Sequence, residues 1–583
     1  MDILLVASAF NSLSQRVYAE LSDEGHRVDV VLASHGAEAI RAAVHEVHPE
    51  LIIAPMLKSA LPDDIWQAHT CLIVHPGPPG DRGPSSLDWA IAQDAPQWGV
   101  TVLQAEAAMD AGDVWAAESF PVPPVGKSDL YRNETSDSAS AAVLLAVRRY
   151  ADGSFKPQAQ SDPAISVVWR DFFRQEQRRI DWENDDTETV LRKLRGADSQ
   201  PGVLDELLGR EVFLHGGHPE DELRGRAGDL LATRAGAVCR ATRDGAVWIP
   251  ELRPRKSSGD AAPFRRPAAS VLASFPAPSG FTPGAGKEVW LPEVAAPLEL
   301  PPDRRTWTDI RYRQHGDIGF LTFSFPGGAM STDQCRRLLA AYRHALARPT
   351  SVLVLGSARD FFSNGIHLNV IEAAADPAGE SWANLNAMDD LVEAVLRTTD
   401  RLVVAALGGN AAAGGLMLAL AADEVWCRAG AVLNPHYRRM GLYGSEFWTY
   451  TLPRRVGADR AQRLTTEALP VSAATAARIG LVDHLLPVAP RDFAAETEVR
   501  AAHLAAAPDL ARRIAAKASA RQADERRRPL ADYRRAELAR MRAGFFDPQA
   551  PYQALRAAFV PQQPGWWAPA PSGSGPVYPR GRG

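Results

Sequence analysis

The sequence predicts an α/β protein of several domains, and three observations lead to that prediction. The chain has 583 residues, which is long enough for more than one domain. Short apolar runs alternate with helix-length segments over residues 1–160 and again from residue 307, a rhythm typical of parallel sheets covered by helices. Between these two stretches, residues 161–272 carry short β-like pieces with little helix-length sequence.

Residues 1–160 are predicted to form a doubly wound parallel sheet. Four apolar runs are predicted to be its buried strands: I-L-L-V-A-S, V-D-V-V-L-A, L-I-I-A-P and C-L-I-V-H. Sheets of this kind bind ligands beyond the carboxyl ends of their strands. His75 ends the fourth run, so we expect a functional site at this edge.

Residues 161–272 are predicted to be a small β-rich domain. The segment R-R-I-D-W opens it, and the β-like pieces E-V-F-L-H, A-V-C-R-A and A-V-W-I-P-E-L follow. Residues 273–306 are rich in Pro, Ala and Gly, a composition typical of linkers, and we predict a linker there.

Residues 307–560 are predicted to return to strands and helices. The runs G-D-I-G-F-L-T-F-S-F, S-V-L-V-L-G-S and R-L-V-V-A-A-L are the expected strands, residues 491–560 are helical, and residues 561–583 form a tail. The segment Leu402–Ala422 is uncharged over a length that could span a membrane. Its several glycines instead favour a strand, a turn and a buried helix.

Composition and charge exclude several classes of protein. The net charge of -6 gives no reason to expect binding to nucleic acid or to an acidic membrane surface. The four cysteines lie far apart without a C-x-x-C pair, which argues against disulfides and against a structural metal site. The start M-D-I-L-L-V lacks a basic signal region, so we expect a protein of the reducing cytoplasm.

A first candidate site is a histidine and an aspartate on two predicted strand-end loops. His75 precedes the rigid segment P-G-P-P-G, and Asp110 lies in M-D-A-G-D. In acyl transfer a histidine stabilises the oxyanion or moves a proton, and a carboxylate orients it. Histidine–aspartate pairs are also common in purely structural loops, so the pair alone leaves both readings open.

Residues 1–270 resemble the folate-dependent formyltransferases, especially methionyl-tRNA formyltransferase. The resemblance rests on the His75 loop with its following Arg82 and Gly83, on the strand W-G-V-T-V-L-Q, and on R-I-D-W. It implies a Rossmann-like sheet, an OB-like β-barrel and binding of 10-formyltetrahydrofolate. It also implies catalytic roles for His75 and Asp110, a folate pocket lined by the backbone of Pro55, Met56 and Leu57, and cofactor binding by Arg82.

Two positions depart from the formyltransferase pattern. The family has N-x-H, whereas Ile73 stands at the asparagine position here, so one oxyanion donor is lost and transfer to the usual amine acceptor is in question. The family usually has an acid after the tyrosine of L-Y-R, where this chain has Arg132. Arg132 is expected either to add a cation to the cofactor site or to be a surface arginine.

A second candidate site consists of two glycine-bearing turns, each after a predicted strand. They are F-F-S-N-G-I-H-L and A-A-A-G-G-L-M-L-A-L-A-A-D. Backbone N–H groups from two such turns can converge on one carbonyl oxygen, and a helix beginning at one of them adds its dipole. Either turn alone is more often a packing feature.

Together the turns resemble the crotonase (enoyl-CoA hydratase/isomerase) superfamily over residues 307–500. This implies a crotonase-like α/β spiral fold with C-terminal helices that binds coenzyme A thioesters, with oxyanion N–H groups at Ile366 and Gly414. Met417 and Tyr437 stand where hydratases carry two glutamates, so water addition is not expected. Tyr437 and Glu446 are the preferred proton-transfer residues, ahead of His436 and His367. Arg542 is expected to meet a CoA phosphate or to lie on a solvated helix face.

The motifs V-H-P-G and G-D-R-G-P-S-S-L-D-W-A-I occur in one chain with L-N-P-H-Y and M-G-L-Y-G-S-E. With these motifs the full-length arrangement resembles the HypX/HoxX family of hydrogenase maturation factors. The resemblance implies formyl transfer from 10-formyltetrahydrofolate to coenzyme A, and then decarbonylation of formyl-CoA to CO, the ligand of the iron in a [NiFe]-hydrogenase. A formyl group has no α-carbon, so only hydrolysis or loss of CO is open to it. Hydrogenase maturation proteins are possible partners. Two alternatives remain: separate amine formyltransferase and acyl-CoA isomerase or hydrolase activities, or a scaffold that binds folate and CoA.

Overall fold

A computed structural model describes residues 1–256, 262–275, 291–357 and 359–560. The tail predicted for residues 561–583 and residues 276–290 of the predicted linker lie outside the described residues.

The N-terminal domain has one main sheet with helices on both faces. Its strands are β1 (Asp2–Ala7), β2 (Arg27–Leu32), β3 (Leu51–Ala54), β4 (Cys71–His75), β5 (Asp81–Arg82), β6 (Gln97–Gln104) and β7 (Val114–Pro121). Its helices are α1 (Ser12–Asp23), α2 (Ala37–Val47), α3 (Asp63–Ala68), α4 (Ser86–Ala92), α5 (Lys127–Leu130) and α6 (Ser136–Asp152), with a π-helical turn at Tyr131–Thr135. The four predicted strands are confirmed as β1 to β4.

The order of strands brings the predicted loops to one edge of this sheet. The order is β2-β1-β3-β4-β6-β7. Strands β1 to β4 are parallel as predicted, but β6 pairs antiparallel with both β4 and β7. The loops after β3 and β4 therefore leave the sheet side by side at its carboxyl edge.

The second domain is a small β-barrel of two four-stranded sheets. Its strands are β9 (Val203–Leu207), β10 (Arg210–His215), β11 (His218–Glu220), β12 (Leu230–Arg234), β13 (Ala237–Ala241), β14 (Ala246–Ile249), β15 (Glu251–Pro254) and β16 (Arg266–Pro267). Strand β8 (Val168–Trp169) precedes it, and its helices are α7 (Gln175–Arg178), α8 (Thr187–Arg195) and α9 (Ala268–Ala273). The described part of the predicted linker packs on this barrel: Leu291 is buried, and the Val294 N–H donates to the Thr233 carbonyl.

The C-terminal domain has a six-stranded sheet of order β17-β18-β20-β22-β24-β27, parallel except for β17. The strands are β17 (Ile310–His315), β18 (Ile318–Phe323), β19 (Ala329–Met330), β20 (Val352–Ser357), β21 (Gly365–Ile366), β22 (Leu402–Leu407), β23 (Ala411–Ala412), β24 (Glu424–Arg428), β25 (Val432–Asn434), β26 (Val471–Ser472) and β27 (His484–Leu486). The helices are α10 (Thr332–Leu346), α11 (Leu368–Glu372), α12 (Pro377–Arg397), α13 (Ala413–Leu420), α14 (Trp448–Val456), α15 (Ala458–Glu467), α16 (Ala473–Ile479), α17 (Phe493–Ala505), α18 (Leu510–Arg527), α19 (Leu530–Phe546) and α20 (Tyr552–Phe559).

The uncharged segment Leu402–Ala422 is a buried strand, β22, and a buried helix, α13, as its glycines predicted. Across the described parts of the chain, every helix is too short or too polar to span a lipid bilayer. The predicted C-terminal helices are confirmed as α17 to α20. Leu530, Met541 and Tyr552 of the last two belong to the main core of the domain, so these helices complete that core.

Buried ion pairs join the N-terminal and C-terminal domains. The Arg428 guanidinium is almost fully buried and donates to Asp137 at 2.9 Å and to Asn133 at 3.2 Å. Arg359 donates to Glu134 at 2.7 Å and to Asp129 at 3.0 Å. Removing one partner of such a pair leaves a buried charge uncompensated, at a cost of about 3–5 kcal/mol. The two domains are therefore held in one fixed relation.

Candidate active sites

His75 lies at the carboxyl end of β4 between two carboxylates. Its Nε2 atom is 3.0 Å from Oδ2 of Asp81, and its Nδ1 atom is 3.5 Å from Oδ2 of Asp110. The imidazole is 5% exposed. The structure therefore brings together the predicted pair, His75 and Asp110, and adds a third member that the sequence analysis did not identify.

Asp81 is held in place by several donors besides His75. The Ser86 hydroxyl donates to Oδ2 at 2.6 Å, and Arg170 forms an ion pair with Oδ1. Burial raises the pKa of Asp81, but the hydrogen bonds from His75, Ser86 and Arg170 outweigh it and lower that pKa below its ordinary value. Asp81 is therefore a carboxylate at neutral pH and fixes the orientation of the His75 ring.

Asp110 reaches His75 from the neighbouring loop through an unusual backbone conformation. Its φ of +51° lies in the left-handed region, which aspartate enters more readily than most residues. Its Oδ2 atom accepts a hydrogen bond of 3.0 Å from the Gly83 N–H. Gly83 itself has a φ of +97°, and a Cβ atom there would collide with the Arg170 carbonyl, so this position requires glycine.

The predicted folate-lining residues follow β3 at the same edge. Pro55 is buried, whereas Met56 and Leu57 are half-buried. The Met56 carbonyl accepts from the Ser8 N–H at 2.8 Å, which ties this loop to the end of β1. Ile73 lies two residues before His75 and packs among apolar side chains. Its aliphatic side chain has no hydrogen-bond donor.

The two predicted arginines of the N-terminal half differ in surroundings. Arg82 lies on β5 beside Asp81, and its Nε atom is buried without a hydrogen-bond partner among the described residues. Arg132 pairs with Asp360 of the C-terminal domain at 2.7 Å and stacks on Phe361. Arg132 thus contacts the loop that leads to Ile366, and it is not a free surface arginine.

In the C-terminal domain, the two predicted glycine turns meet. Gly365 precedes Ile366 on β21, and a Cβ atom at Gly365 would lie 3.2 Å from the Gly414 backbone nitrogen. Gly414 lies in the first turn of α13, where N–H groups have no partner within the helix. The backbone at Ile366 and Gly414 therefore forms one wall of a site, with the helix dipole directed towards it.

Glu446 and Tyr437 form the facing wall. The Tyr437 hydroxyl donates to Oε2 of Glu446 at 2.8 Å, and the Ser445 N–H donates to the same oxygen at 3.0 Å. The other oxygen, Oε1, faces Gly414 so closely that a Cβ atom there would collide with it. Hence Oε2 accepts two hydrogen bonds from the protein, whereas Oε1 points towards the Gly414 backbone.

The acid–base properties of this pair follow from burial. Burial, reinforced by the nearby charge of Asp389, raises the pKa of Glu446 to about 8, although Tyr437 and Ser445 oppose the shift. Burial and the charge of Glu446 raise the pKa of Tyr437 well above its ordinary value. Tyr437 therefore stays a phenol that donates, and Glu446 is the member of the pair that exchanges a proton near neutral pH.

The remaining residues of the prediction have other surroundings. Met417 is in the core of α13. His367 caps α11, and the Nδ1 atom of His436 lies 3.0 Å from the Asn434 carbonyl oxygen; burial lowers the pKa of both imidazoles to about 4. Arg542 is exposed on α19 and stacks on Trp382 and Phe546. Within the described ranges, no three metal-ligating side chains gather, and the four cysteines are buried free thiols.

Comparisons with known proteins agree with both halves. The family model "Formyl transferase, C-terminal domain" matches residues 173–265, and "Enoyl-CoA hydratase/isomerase" matches residues 325–548. The chain is 46% identical to the hydrogenase maturation factor HoxX of Bradyrhizobium diazoefficiens, over 97% of this chain and 95% of that protein. It is 24% identical to a methionyl-tRNA formyltransferase of Neisseria meningitidis, over 38% of this chain and 71% of that protein.

Among solved structures, the chain is similar to HypX from Aquifex aeolicus in complex with tetrahydrofolic acid. The TM-score is 0.90 and the sequence identity is 43%, covering 97% of this chain and 96% of that chain. The predicted fold class, a formyltransferase-like half followed by a crotonase-like half with C-terminal helices, is confirmed.

Proposed function

The chain belongs to the HypX/HoxX family of hydrogenase maturation factors, and from that premise we propose that it synthesises carbon monoxide in two steps. The first moves a formyl group from 10-formyltetrahydrofolate to the thiol of coenzyme A. The second splits formyl-CoA into CO and CoA, and the CO supplies the [NiFe]-hydrogenase iron in the cytoplasm. Hydrogenase maturation proteins are the partners that would receive it.

One observation carries the second step: Oε1 of the buried Glu446 faces the Gly414 backbone. A formyl thioester with its carbonyl oxygen on the N–H groups of Ile366 and Gly414 would place the formyl C–H beside that oxygen. The formyl group carries a single hydrogen, on its carbonyl carbon, so a base at this point would take that hydrogen as a proton.

The proposed decarbonylation balances within the site. The Glu446 carboxylate takes the formyl proton while the two N–H groups polarise the carbonyl. The C–S bond breaks with its electron pair going to sulfur, and CO leaves. The protonated Glu446 then returns its proton to the thiolate, so the products are CO and CoA–SH. Tyr437 orients Glu446 through Oε2. Met417, at a hydratase glutamate position, cannot activate water, which favours loss of CO over hydrolysis.

The proposed first step uses the His75 loop. The CoA sulfur attacks the formyl carbon on N10 of the folate, and the developing oxyanion accepts a hydrogen bond from His75. Collapse releases N10 of tetrahydrofolate, which receives the proton lost by the thiol through His75 and Asp110. Asp81 holds the ring throughout. The apolar Ile73 in place of an amide donor fits a change of acceptor from an amine to a thiol.

Binding of the two substrates is assigned as follows. The backbone of Pro55, Met56 and Leu57 lines the pterin site. Arg82, whose buried Nε atom has no partner in the described parts of the chain, is a candidate for a folate carboxylate or a CoA phosphate. Arg132 and the exposed Arg542 are the candidates for the remaining CoA phosphates.

The experiment that tests the proposal is release of CO by the purified protein. With 10-formyltetrahydrofolate and CoA, CO is expected and is detected as carbonylhaemoglobin by absorbance. Synthetic formyl-CoA alone should also yield CO and free thiol in equal amounts. Formate and CoA without CO would show hydrolysis, and no consumption of either substrate would support the scaffold alternative.

The rate of CO release from formyl-CoA is expected to rise with pH and to level off above about pH 8. The carboxylate of Glu446 is the active form, and with its pKa raised to about 8 only the ionised fraction works below that pH. Initial rates of CO release between pH 6 and 9, corrected for non-enzymatic hydrolysis, would test this. On the acid limb the rate should rise roughly tenfold for each pH unit. A rate that falls as pH rises would mean that the protonated form acts first.

A further inference from the structure

The turn that carries Glu446 has a strained backbone. Glu446 and Phe447 are consecutive residues with φ angles of +57° and +58°, in the left-handed region. That conformation is unfavourable for residues other than glycine, because Cβ crowds the following carbonyl oxygen. Both side chains are buried, so contacts with solvent do not stabilise this conformation. Other groups must make it the stable conformation, because strain of this kind persists only where surrounding contacts impose it.

Asp389 of α12 supplies one such set of contacts. Its Oδ1 atom accepts the Glu446 N–H at 2.8 Å and the Ser445 hydroxyl at 2.9 Å. Its side chain is fully buried, and its Oδ2 atom has no hydrogen-bond partner among the described residues, with Nε of Arg534 at 3.8 Å. A buried carboxylate oxygen without a hydrogen-bond partner is costly, and the two hydrogen bonds that Oδ1 accepts at this turn offset part of that cost.

Glu537 of α19 holds the other side of the same turn. Its Oε2 atom accepts the Phe447 N–H at 2.9 Å, and its Oε1 atom accepts the Thr449 N–H at 2.9 Å and the Thr449 hydroxyl. These N–H groups begin α14, where a carboxylate satisfies unpaired donors. Two helices distant in sequence thus each contribute one carboxylate to consecutive residues of one turn.

We propose that Asp389 and Glu537 are positioning residues that hold the left-handed Glu446–Phe447 turn, so that Oε1 of Glu446 stays at Gly414. The inference rests on the proposed function for its catalytic consequence, since Glu446 is the proton-transfer group there. Neither carboxylate touches the formyl group. Both act through the backbone N–H groups of the turn, and loss of either contact would let Oε1 move away from the reacting carbon.

Asp389 also contributes to the electrostatics of Glu446. The titratable or charged groups around Glu446 are Tyr437 on its own segment, Asp389 and the more distant Arg534, Glu537 on α19, and Cys335 on α10. Asp389 is the charge that most strongly opposes ionisation of Glu446. Replacing it by a neutral residue of the same shape should therefore lower the pKa of Glu446.

Three variants separate positioning from general stability. In Asp389→Asn the amide oxygen still accepts from Glu446 and Ser445, so kcat on formyl-CoA should be largely retained, while the acid limb of the pH profile should move to lower pH by about one unit. In Asp389→Ala the acceptor is lost, and kcat should fall by about 100-fold with KM unchanged. Asp390→Asn is the control, because it removes the neighbouring, half-exposed acid that also pairs with Arg534. It should change neither kcat nor the acid limb of the pH profile.

A crystal structure of Asp389→Ala gives a readout that does not depend on activity. Glu446 is expected to leave the left-handed region and Oε1 to move away from Gly414. The positioning role is overturned if the turn is unchanged in that crystal structure or if Asp389→Ala keeps its full kcat. It is also overturned if the acid limbs of the pH profiles of Asp389→Asn and Asp390→Asn coincide. If the unaltered protein releases no CO from formyl-CoA, the proposed function fails, and the structure of the turn still decides the positioning role.

Discussion

Replacing Glu446 with glutamine is expected to lower kcat for CO release from formyl-CoA by between about 10² and 10⁴, the usual contribution of a positioned acid–base group. Glutamine has nearly the same shape and still accepts from Tyr437, so the turn should be preserved. Its amide cannot take the formyl proton through the atom that faces Gly414. The measurement is the initial rate of carbonylhaemoglobin formation with formyl-CoA as substrate.

The controls for this variant separate chemistry from folding. Glu467→Gln changes an exposed glutamate of the same domain and should leave the rate unaltered. Glu446→Gln should still convert 10-formyltetrahydrofolate and CoA to formyl-CoA, which would accumulate and can be measured by chromatography. Tyr437→Phe keeps the base but loses a hydrogen bond to a charged group, so a smaller loss of about 10–100-fold is expected. Wild-type CO release by Glu446→Gln would exclude Glu446 as the base.

Replacing His75 with alanine is expected to slow formyl transfer from 10-formyltetrahydrofolate to CoA by between about 10² and 10⁴. The variant loses the group that is proposed to face the oxyanion and removes the imidazole between Asp81 and Asp110. CO release from supplied formyl-CoA should continue at the normal rate, because the second reaction uses the C-terminal residues. The two rates are measured separately, by formyl-CoA formation and by carbonylhaemoglobin.

Two further variants define the expected role of the His75 site. His45→Ala removes an exposed histidine from α2 of the same domain and should change neither rate. Asp81→Asn keeps the shape but loses the charge that Arg170 and His75 share, so formyl transfer should fall while folding is retained. If His75→Ala stops CO release from both substrates, the assignment of one step to each domain is wrong.

Much of the fold could be predicted because apolar runs, and the glycines that interrupt them, are local properties of the chain. The runs L-I-I-A-P and C-L-I-V-H, which end at Pro55 and His75, are predicted strands, and they contain β3 and β4. The glycines within Leu402–Ala422 correctly predicted a strand and a helix in place of a membrane span. The sheet was predicted to be parallel, but β6 runs antiparallel to its neighbours, because a short β-like run is equally compatible with both directions.

Asp81 shows what a local pattern can miss within one loop. Asp81 lies only six residues from His75, in G-D-R-G. This short separation was the signal in the sequence, because it allows the loop to fold back and bring the carboxylate to the imidazole. His75 was paired with Asp110 because both lie on predicted strand-end loops and because the formyltransferase resemblance implies roles for both. The structure places both carboxylates at the imidazole, with Asp81 the closer of the two at 3.0 Å.

The sequence by itself determined the motifs of two candidate sites: a histidine after a strand with formyltransferase motifs, and two glycine turns, one of them opening an apolar helix, with Tyr437 and Glu446 nearby. Only the tertiary structure decided how Glu446 is held and when it carries a proton. Asp389 lies 57 residues from Glu446, and Glu537 lies 90 residues from Phe447. The pKa of a buried carboxyl and the stability of a left-handed turn depend on groups brought together by folding, and residue spacing along the chain does not report them.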